Sequence, residues 1–209
     1  MRLVFASNNA HKLDEVRRIM PSDIEVLSLS DIGFEAEIEE TGTTLEENSA
    51  IKAEAVYQWI LDHGHCSLDG VFADDTGLEI DALGGKPGVY TARWYKLTSE
   101  RMNELTNERE IFAANRAKAL RELADKTDRG AQFRTVITLI KVNGERLAVS
   151  GIVRGRIAEE EYGNGGFGYD PVFIPEGYDK TFGELPAEIK NSISHRARAL
   201  QALVKLLKR

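Results

Sequence analysis

Cysteine is almost absent from this 209-residue chain: Cys66 stands alone. No internal disulfide is therefore possible, and a reducing cytoplasm is the simplest setting. Long apolar runs are missing too. Met1 to Ala6 turns polar at Ser7, too short a stretch for a signal peptide or a membrane span, so neither is expected. Positive charge is in deficit, 27 Lys and Arg against 34 Asp and Glu, for a net charge of -7. That balance argues against a nucleic-acid partner, because no basic stripe could neutralise many phosphates. A small polyanion remains possible, since a local basic pocket with a metal can outweigh the average. There is no internal repeat, low-complexity tract, long linker or Walker-type glycine loop. What remains is the composition of an ordinary soluble enzyme, long enough for one large α/β domain or two closely joined lobes. We read residues 1–209 as one domain.

The stretch Phe72-Ala73-Asp74-Asp75-Thr76-Gly77-Leu78-Glu79-Ile80 organises the rest. It opens like the end of a buried strand, then sets two carboxylates, a hydroxyl and a glycine in succession. Adjacent acids at a strand tip, with glycine permitting a sharp turn, suit a hard cation that prefers oxygen ligands. An Asx-type turn between two strands accounts for the same residues.

Upstream, Leu3 to Ala6 reads as a short buried strand. Ser7-Asn8-Asn9-Ala10-His11-Lys12 follows, then a helix with Leu13, Val16, Ile19 and Met20 on one face and Pro21 as its stop. Strand, polar loop and helix together aim backbone N–H groups and a helix dipole at an anion. Ser7 or Asn9 could equally be a plain helix cap. A second strand is expected over Ile24 to Leu29. Ser30 to Thr43, with Glu35, Glu37, Glu39 and Glu40, reads as a solvated acidic loop. Thr44-Leu45-Glu46-Glu47 matches a capping box, and Ile51, Ala55, Val56, Trp59 and Ile60 give the stripe of the helix it opens. Glu47, Asn48 and Lys52 share another face. Glu47 is thus either the partner in the box or a metal ligand.

Beyond Ile80, Gly84 to Trp94 demands special backbone angles and gathers an arginine and two aromatics. Thr98 to Ala124 reads as mostly helical, with Met102, Leu105, Phe112, Leu120 and Leu123 roughly in period and no evident chemistry. Phe133 to Val142 and Leu147 to Ile157, joined through Asn143-Gly144, carry a strong hairpin signal. Gly163 to Phe173 sets four glycines around Phe167, which suggests close backbone approach to a flat ligand or an irregular bulge entering a strand. Lys190-Asn191-Ser192-Ile193-Ser194-His195-Arg196 is expected to open the final helix, with Leu200, Leu203, Val204 and Leu207 on its buried face. Lys190, His195 and Arg196 then form a cationic cluster where the helix dipole disfavours positive charge, and a bound anion or base edge would offset it.

Six motifs in order carry a resemblance. They are Ser7-x-Asn9-x-x-Lys12, Glu39-Glu40-Thr41-Gly42 to Glu47-Asn48, Ala73-Asp74-Asp75-Thr76-Gly77, Leu83-Gly84-Gly85-x-Pro87-Gly88, Gly165 to Pro171, and Lys190-x-x-x-Ser194-His195-Arg196. From Leu3 to about Leu207 the chain resembles the Ham1/ITPase family of inosine and xanthosine triphosphate pyrophosphatases. The resemblance implies an α/β protein with a long central mixed sheet flanked by helices, two lobes with a substrate cleft between them, and a homodimer. It implies magnesium-dependent hydrolysis of ITP, dITP or XTP to the monophosphate and pyrophosphate. By motif position, Ser7, Asn8, Asn9, Ala10, His11 and Lys12 would hold the triphosphate. Asp75 would be general base and metal ligand, with Glu47 the second metal group. Thr76 stands where the family more often has Ser, and would touch substrate through the same hydroxyl. Phe167, Gly168, Tyr169, Asp170, Lys190, His195 and Arg196 would form the nucleotide and base pocket.

The chemistry is consistent with that set. A triphosphate needs cations before a nucleophile, and Lys12, Lys52, Lys190 and Mg²⁺ are the candidates. Asp75 can orient or deprotonate a metal-bound water. A donor such as Arg196 or His195 would favour a 6-keto purine over adenine, whose amino group would leave buried donors unpaired. The nearest alternative is a Maf-type pyrophosphatase acting on pyrimidine or modified nucleotides, which the Gly165–Pro171 and Ser194-His195-Arg196 blocks do not suit. A phosphomonoesterase using Asp74 as nucleophile, or a nucleotide-binding regulator without turnover, would differ in the product released.

Overall fold

The computed structural model describes residues 1–64, 67–95 and 107–208. Cys66, Arg209 and the early part of the expected Thr98–Ala124 helix, with Met102 and Leu105, lie outside these residues.

Strands and helices mostly alternate along the chain. In order they are β1 (Arg2–Phe5), α1 (Ala10–Ile19), β2 (Glu25–Leu27), α2 (Leu45–His63), β3 (Gly70–Ile80), β4 (Lys86–Gly88) and α3 (Glu108–Glu122). Then come β5 (Gly130–Lys141), β6 (Arg146–Ile157), β7 (Phe173–Pro175), α4 (Ala187–Ile193) and α5 (His195–Leu207). The strands form one sheet in the order β2-β1-β3-β5-β6-β7, with β4 added on β3. β1 runs parallel to β2 and β3, whereas β4 on β3 and β7 on β6 are antiparallel, so the sheet is mixed as expected. Among the described residues, no helix is long and apolar enough to cross a membrane.

The chain divides into two compact units, each assembled from separated segments. The first comprises Met1–Thr76, Thr135–Ile152 and Ser194–Arg209, and the second Gly77–Arg134 and Val153–Ile193. In the first unit β1 and the start of β3 are continuous apolar runs, because both of their faces are covered. Leu3, Phe5 and Phe72, with Ile137 and Leu139, pack on Val16 of α1 and Leu200 and Leu203 of α5. Their neighbours Val4, Ala6, Val71 and Ala73, with Ile140, pack on Ala53, Val56 and Ile60 of α2. Period-two alternation along the strands sorts the residues between the two layers. In the second unit Leu78, Ile80, Phe133, Val153 and Phe173 close over Ala119 and Leu123 of α3. The expected hairpin is present as β5 and β6, with Gly144 at φ +83 in the turn.

Two expectations are corrected. First, β3 runs unbroken through Asp74 to Gly77, so these residues are mid-strand rather than a turn. Gly77 serves close approach instead: a Cβ there would lie 2.9 Å from the Gly88 carbonyl oxygen on the paired strand. Second, Lys190 does not open the final helix. It lies in α4, and α5 begins afresh at His195, capped by Ser194, whose Oγ accepts from the Ala197 N–H at 3.2 Å.

Candidate active site

Because β3 is continuous, Asp74 and Asp75 point to opposite faces of the sheet. The adjacent acids are therefore not a chelating pair. Asp74 is fully buried on the α1/α5 face. Its Oδ1 accepts from Lys12 Nζ at 2.8 Å and its Oδ2 from Arg196 Nε at 2.9 Å. Arg196, only 1% exposed, also donates through Nη1 to Glu15 of α1 and through Nη2 to Thr76 Oγ1 at 3.4 Å. Thr76 Oγ1 in turn meets Thr135 Oγ1 at 2.7 Å. Burial opposes charge on Asp74, but Lys12, Arg196 and Lys52 outweigh it and hold the carboxyl well below its usual range. Burial likewise opposes the Arg196 charge, and Asp74 and Glu15 restore it. The cationic cluster expected at Lys190, His195 and Arg196 is thus not an unneutralised one: Arg196 has two carboxylates here, and Lys190 has its own acid in the second unit.

Asp75 has the opposite environment. It is buried on the α2 face, where Lys52 Nζ approaches Oδ1 at 3.4 Å. Its Oδ2 is buried and has no hydrogen-bond partner among the described residues. Burial pushes the Asp75 carboxyl up from its ordinary value, with Lys52 and Lys12 opposing and Glu40 and Asp74 adding to the rise. Lys52 also donates to Glu40 Oε1 at 2.8 Å. Burial alone would lower the Lys52 ammonium, but Asp75, Asp74 and Glu40 together raise it.

Glu40 is the residue that sequence reasoning passed over as part of a solvated loop. The signal was present in the Glu39-to-Gly42 motif. The Gly42 N–H donates to Asn48 Oδ1 at 2.8 Å, and a Cβ on Gly42 would stand 2.6 Å from both that oxygen and Glu47 Cβ. Only glycine lets the loop lie this close to the start of α2, and that contact brings Glu40 to Lys52. Glu47 itself faces the helix start. Its Oε2 accepts from Thr43 N–H, Thr43 Oγ1 and Thr44 N–H, completing the capping box. Those bonds, led by the Thr43 N–H, lower its pKa.

At the end of β1, Ser7 Oγ accepts from the Asn9 N–H, and Asn9 caps α1 by accepting from the Lys12 N–H at 3.0 Å. Asn8, Ala10 and His11 are exposed, while Lys12 turns inward to Asp74. Of the two sequence readings of this loop, the helix cap is the one these hydrogen bonds show. His195 is buried at the first turn of α5.

The second unit holds its own cluster. Lys190 Nζ pairs with Asp170 Oδ2 at 2.6 Å and sits 4.8 Å from the Phe167 ring centre. The Phe167 N–H donates to the same carboxylate oxygen at 2.7 Å. Tyr169 is buried, its hydroxyl donating to the Thr91 carbonyl at 3.3 Å, and burial pushes its pKa up. Phe167, Asp170 and Lys190 are thus one contiguous assembly.

Among the described residues, no three acidic, His or Cys side chains converge as a ready-made metal cage. The first unit does offer an orphaned buried oxygen on Asp75 and a second carboxylate, Glu40, on the same lysine. Magnesium is usually held by one or two carboxylates together with substrate phosphates and water. The donor set fits that ion.

The model of the Ham1 family matches residues 3–206. A dITP/XTP pyrophosphatase of Flavobacterium johnsoniae is 45% identical over 207 residues, covering 99% of this chain and 98% of that protein. One from Bacillus subtilis is 44% identical over 207 residues, covering 98% and 96%. The structure of the Staphylococcus aureus Ham1 protein is similar with a TM-score of 0.81 at 38% identity, covering 100% of this chain and 98% of that one. A HAM1 protein from Coxiella burnetii gives 0.82 at 34% identity, with the same coverage.

Proposed function

This chain belongs to the Ham1 family, and from that membership we propose that it hydrolyses the abnormal purine nucleoside triphosphates ITP, dITP and XTP to monophosphate and pyrophosphate. The observation that carries the reading is Asp75: a buried carboxylate with one oxygen facing Lys52 and the other without a hydrogen-bond partner among the described residues. A pKa raised by burial makes it a better proton acceptor near neutral pH than an ordinary aspartate.

Magnesium, when bound, would supply charge withdrawal from the scissile phosphate and an acidified water. Asp75 would hold it, with Glu40 better placed beside Lys52 than Glu47, whose Oε2 is occupied by the cap. Glu47 could join only through its other oxygen. Asp75 accepts the proton of the attacking water. Lys52 and Lys12 neutralise the polyphosphate, and the outward N–H groups of the Ser7–Lys12 loop receive its oxygens. Phe167, Gly168, Tyr169, Asp170 and Lys190 receive the nucleoside. His195 and Arg196 are proposed donors to the 6-keto oxygen. For Arg196 this means exchanging its long contact with Thr76 and keeping both carboxylates. On the resemblance and the lone cysteine we further propose a homodimer in the cytoplasm.

A panel of nucleoside triphosphates assayed with and without Mg²⁺, scored for pyrophosphate, orthophosphate and monophosphate, tests the reading. Preferential turnover of ITP, dITP and XTP with pyrophosphate as product is expected. Orthophosphate as product, or preference for dTTP, would overturn it.

A further inference from the structure

We infer that Arg116 of α3 is a positioning residue for the loop carrying Phe167 and Asp170, setting nucleotide affinity and not the chemical step. The inference rests on the proposed role of that loop in holding the nucleoside.

The loop is poorly fixed by its own sequence. Gly166 and Gly168 adopt φ +70 and +61, and a Cβ on Gly166 would collide with the Asp170 carboxylate. Glycine is required for this path, yet it carries the highest entropy in the free chain. Something outside the loop must therefore restrain it. On one side Lys190 and Asp170 hold Phe167. The other side is supplied by α3. Phe112 lies with its ring centre 6.3 Å from that of Phe167. Arg116, one turn along the same helix face, donates through Nη1 to the Gly168 carbonyl at 2.8 Å. Its Nη2 pairs with Glu161 Oε2 at 3.0 Å. A single guanidinium fork thus ties residues 161 and 168, the two ends of the glycine-rich segment, to a rigid helix.

The bond count distinguishes positioning from simple stabilisation. Arg116 Nε is buried and has no acceptor among the described residues. An unsatisfied buried donor is destabilising, so this arginine is not the best choice for stability alone. What it provides is two anchor points at once, which lysine cannot match. Restraining a binding loop in its bound shape raises affinity by lowering the ordering cost.

The test uses the full chain with Mg²⁺. Arg116→Met should raise KM for ITP by about tenfold and leave kcat within about twofold. Inhibition by IMP should weaken in parallel, whereas inhibition by inorganic pyrophosphate should not change. Arg116→Lys, which keeps one donor near Gly168, should recover part of the loss. Glu161→Gln, which drops only the ion pair, should shift KM by about twofold. These two variants carry the test if the Met variant does not fold. An unchanged KM, or a shift in pyrophosphate inhibition and kcat along with KM, would overturn the inference. Wild type that releases no pyrophosphate from ITP would overturn the proposed function as well, an outcome distinct from failure of the Arg116 series alone.

Discussion

On one face of β3, Asp74 gives an oxygen each to Lys12 and Arg196, whereas on the other face Asp75 gives one oxygen to Lys52 and the second to no group among the described residues. Both are buried aspartates, next to each other in the chain. The first has its charge fully matched and its pKa pushed down; the second is undersatisfied and its pKa is pushed up. A saturated buried acid organises structure, since its hydrogen-bonding capacity is already used. An undersatisfied one retains capacity for a ligand, a metal or a proton. On that contrast the proposed role is structural for the first and reactive for the second.

The sharpest way to break this contrast is to neutralise each acid in turn. Asp75→Asn should lower kcat by about 10²–10⁴-fold, the usual contribution of a general base, with the melting temperature unchanged or raised. Retained turnover at saturating Mg²⁺ would remove Asp75 from the mechanism. Asp74→Asn should instead cost about 3–5 kcal/mol of stability in a denaturant titration, because it leaves Arg196 with one partner fewer and Lys12 unpaired. A variant as stable as wild type would show that the buried network is not structural.

Smaller effects test the second carboxylate. Glu40→Gln should lower activity by about ten- to a hundredfold and raise the Mg²⁺ concentration needed for half-maximal rate. Glu47→Gln should leave turnover near wild type and slightly lower the melting temperature through the weakened capping box. The reverse ranking would return Glu47 to the metal site.

The mildest test is pH. Asp74, with its folded pKa below the ordinary 3.8, adds stability that is complete above that value and is lost as the pH falls through the lower folded pKa. Asp75 has the opposite sign. Its folded pKa lies above 3.8, so its burial is a burden at neutral pH that fades as acid protonates it. The stability gained in Asp75→Asn should therefore shrink toward zero below pH 3.8, and the acid limb of kcat/KM should lie above that value. An acid limb at or below 3.8 would contradict the raised pKa.

Much of this was legible in the residues. The helical stripes of α1 and α5, the Thr44–Glu47 capping box and the Asn143-Gly144 hairpin are local signals, and each appears where its pattern pointed. The α2 stripe holds in part: Val56 and Ile60 are buried, but Ile51 and Ala55 are half-buried and Ala53 takes the core position, with Asn48 and Lys52 buried as well. The unbroken course of β3 was not anticipated, because Asp, Thr and Gly in succession carry a turn signal that the strand's place in the sheet, between β1 and β5, overrides. Glu40 was missed because an acidic run reads as solvent-facing unless a distant lysine is known to reach it. Arg116 gave no signal, since the carbonyl it holds belongs to a glycine 52 residues further on.

The order of six short motifs was enough to point to the family and, through that resemblance, to the fold class, since each motif depends on residues close together in the chain. Packing alone decided that Asp74 meets Glu15's partner Arg196, that Glu40 and not Glu47 joins Asp75 on Lys52, and that Lys190 and Arg196 serve different acids. The charge state of a buried side chain is set by which groups surround it in space. That information exists only once the sheet has sorted neighbouring residues onto opposite faces.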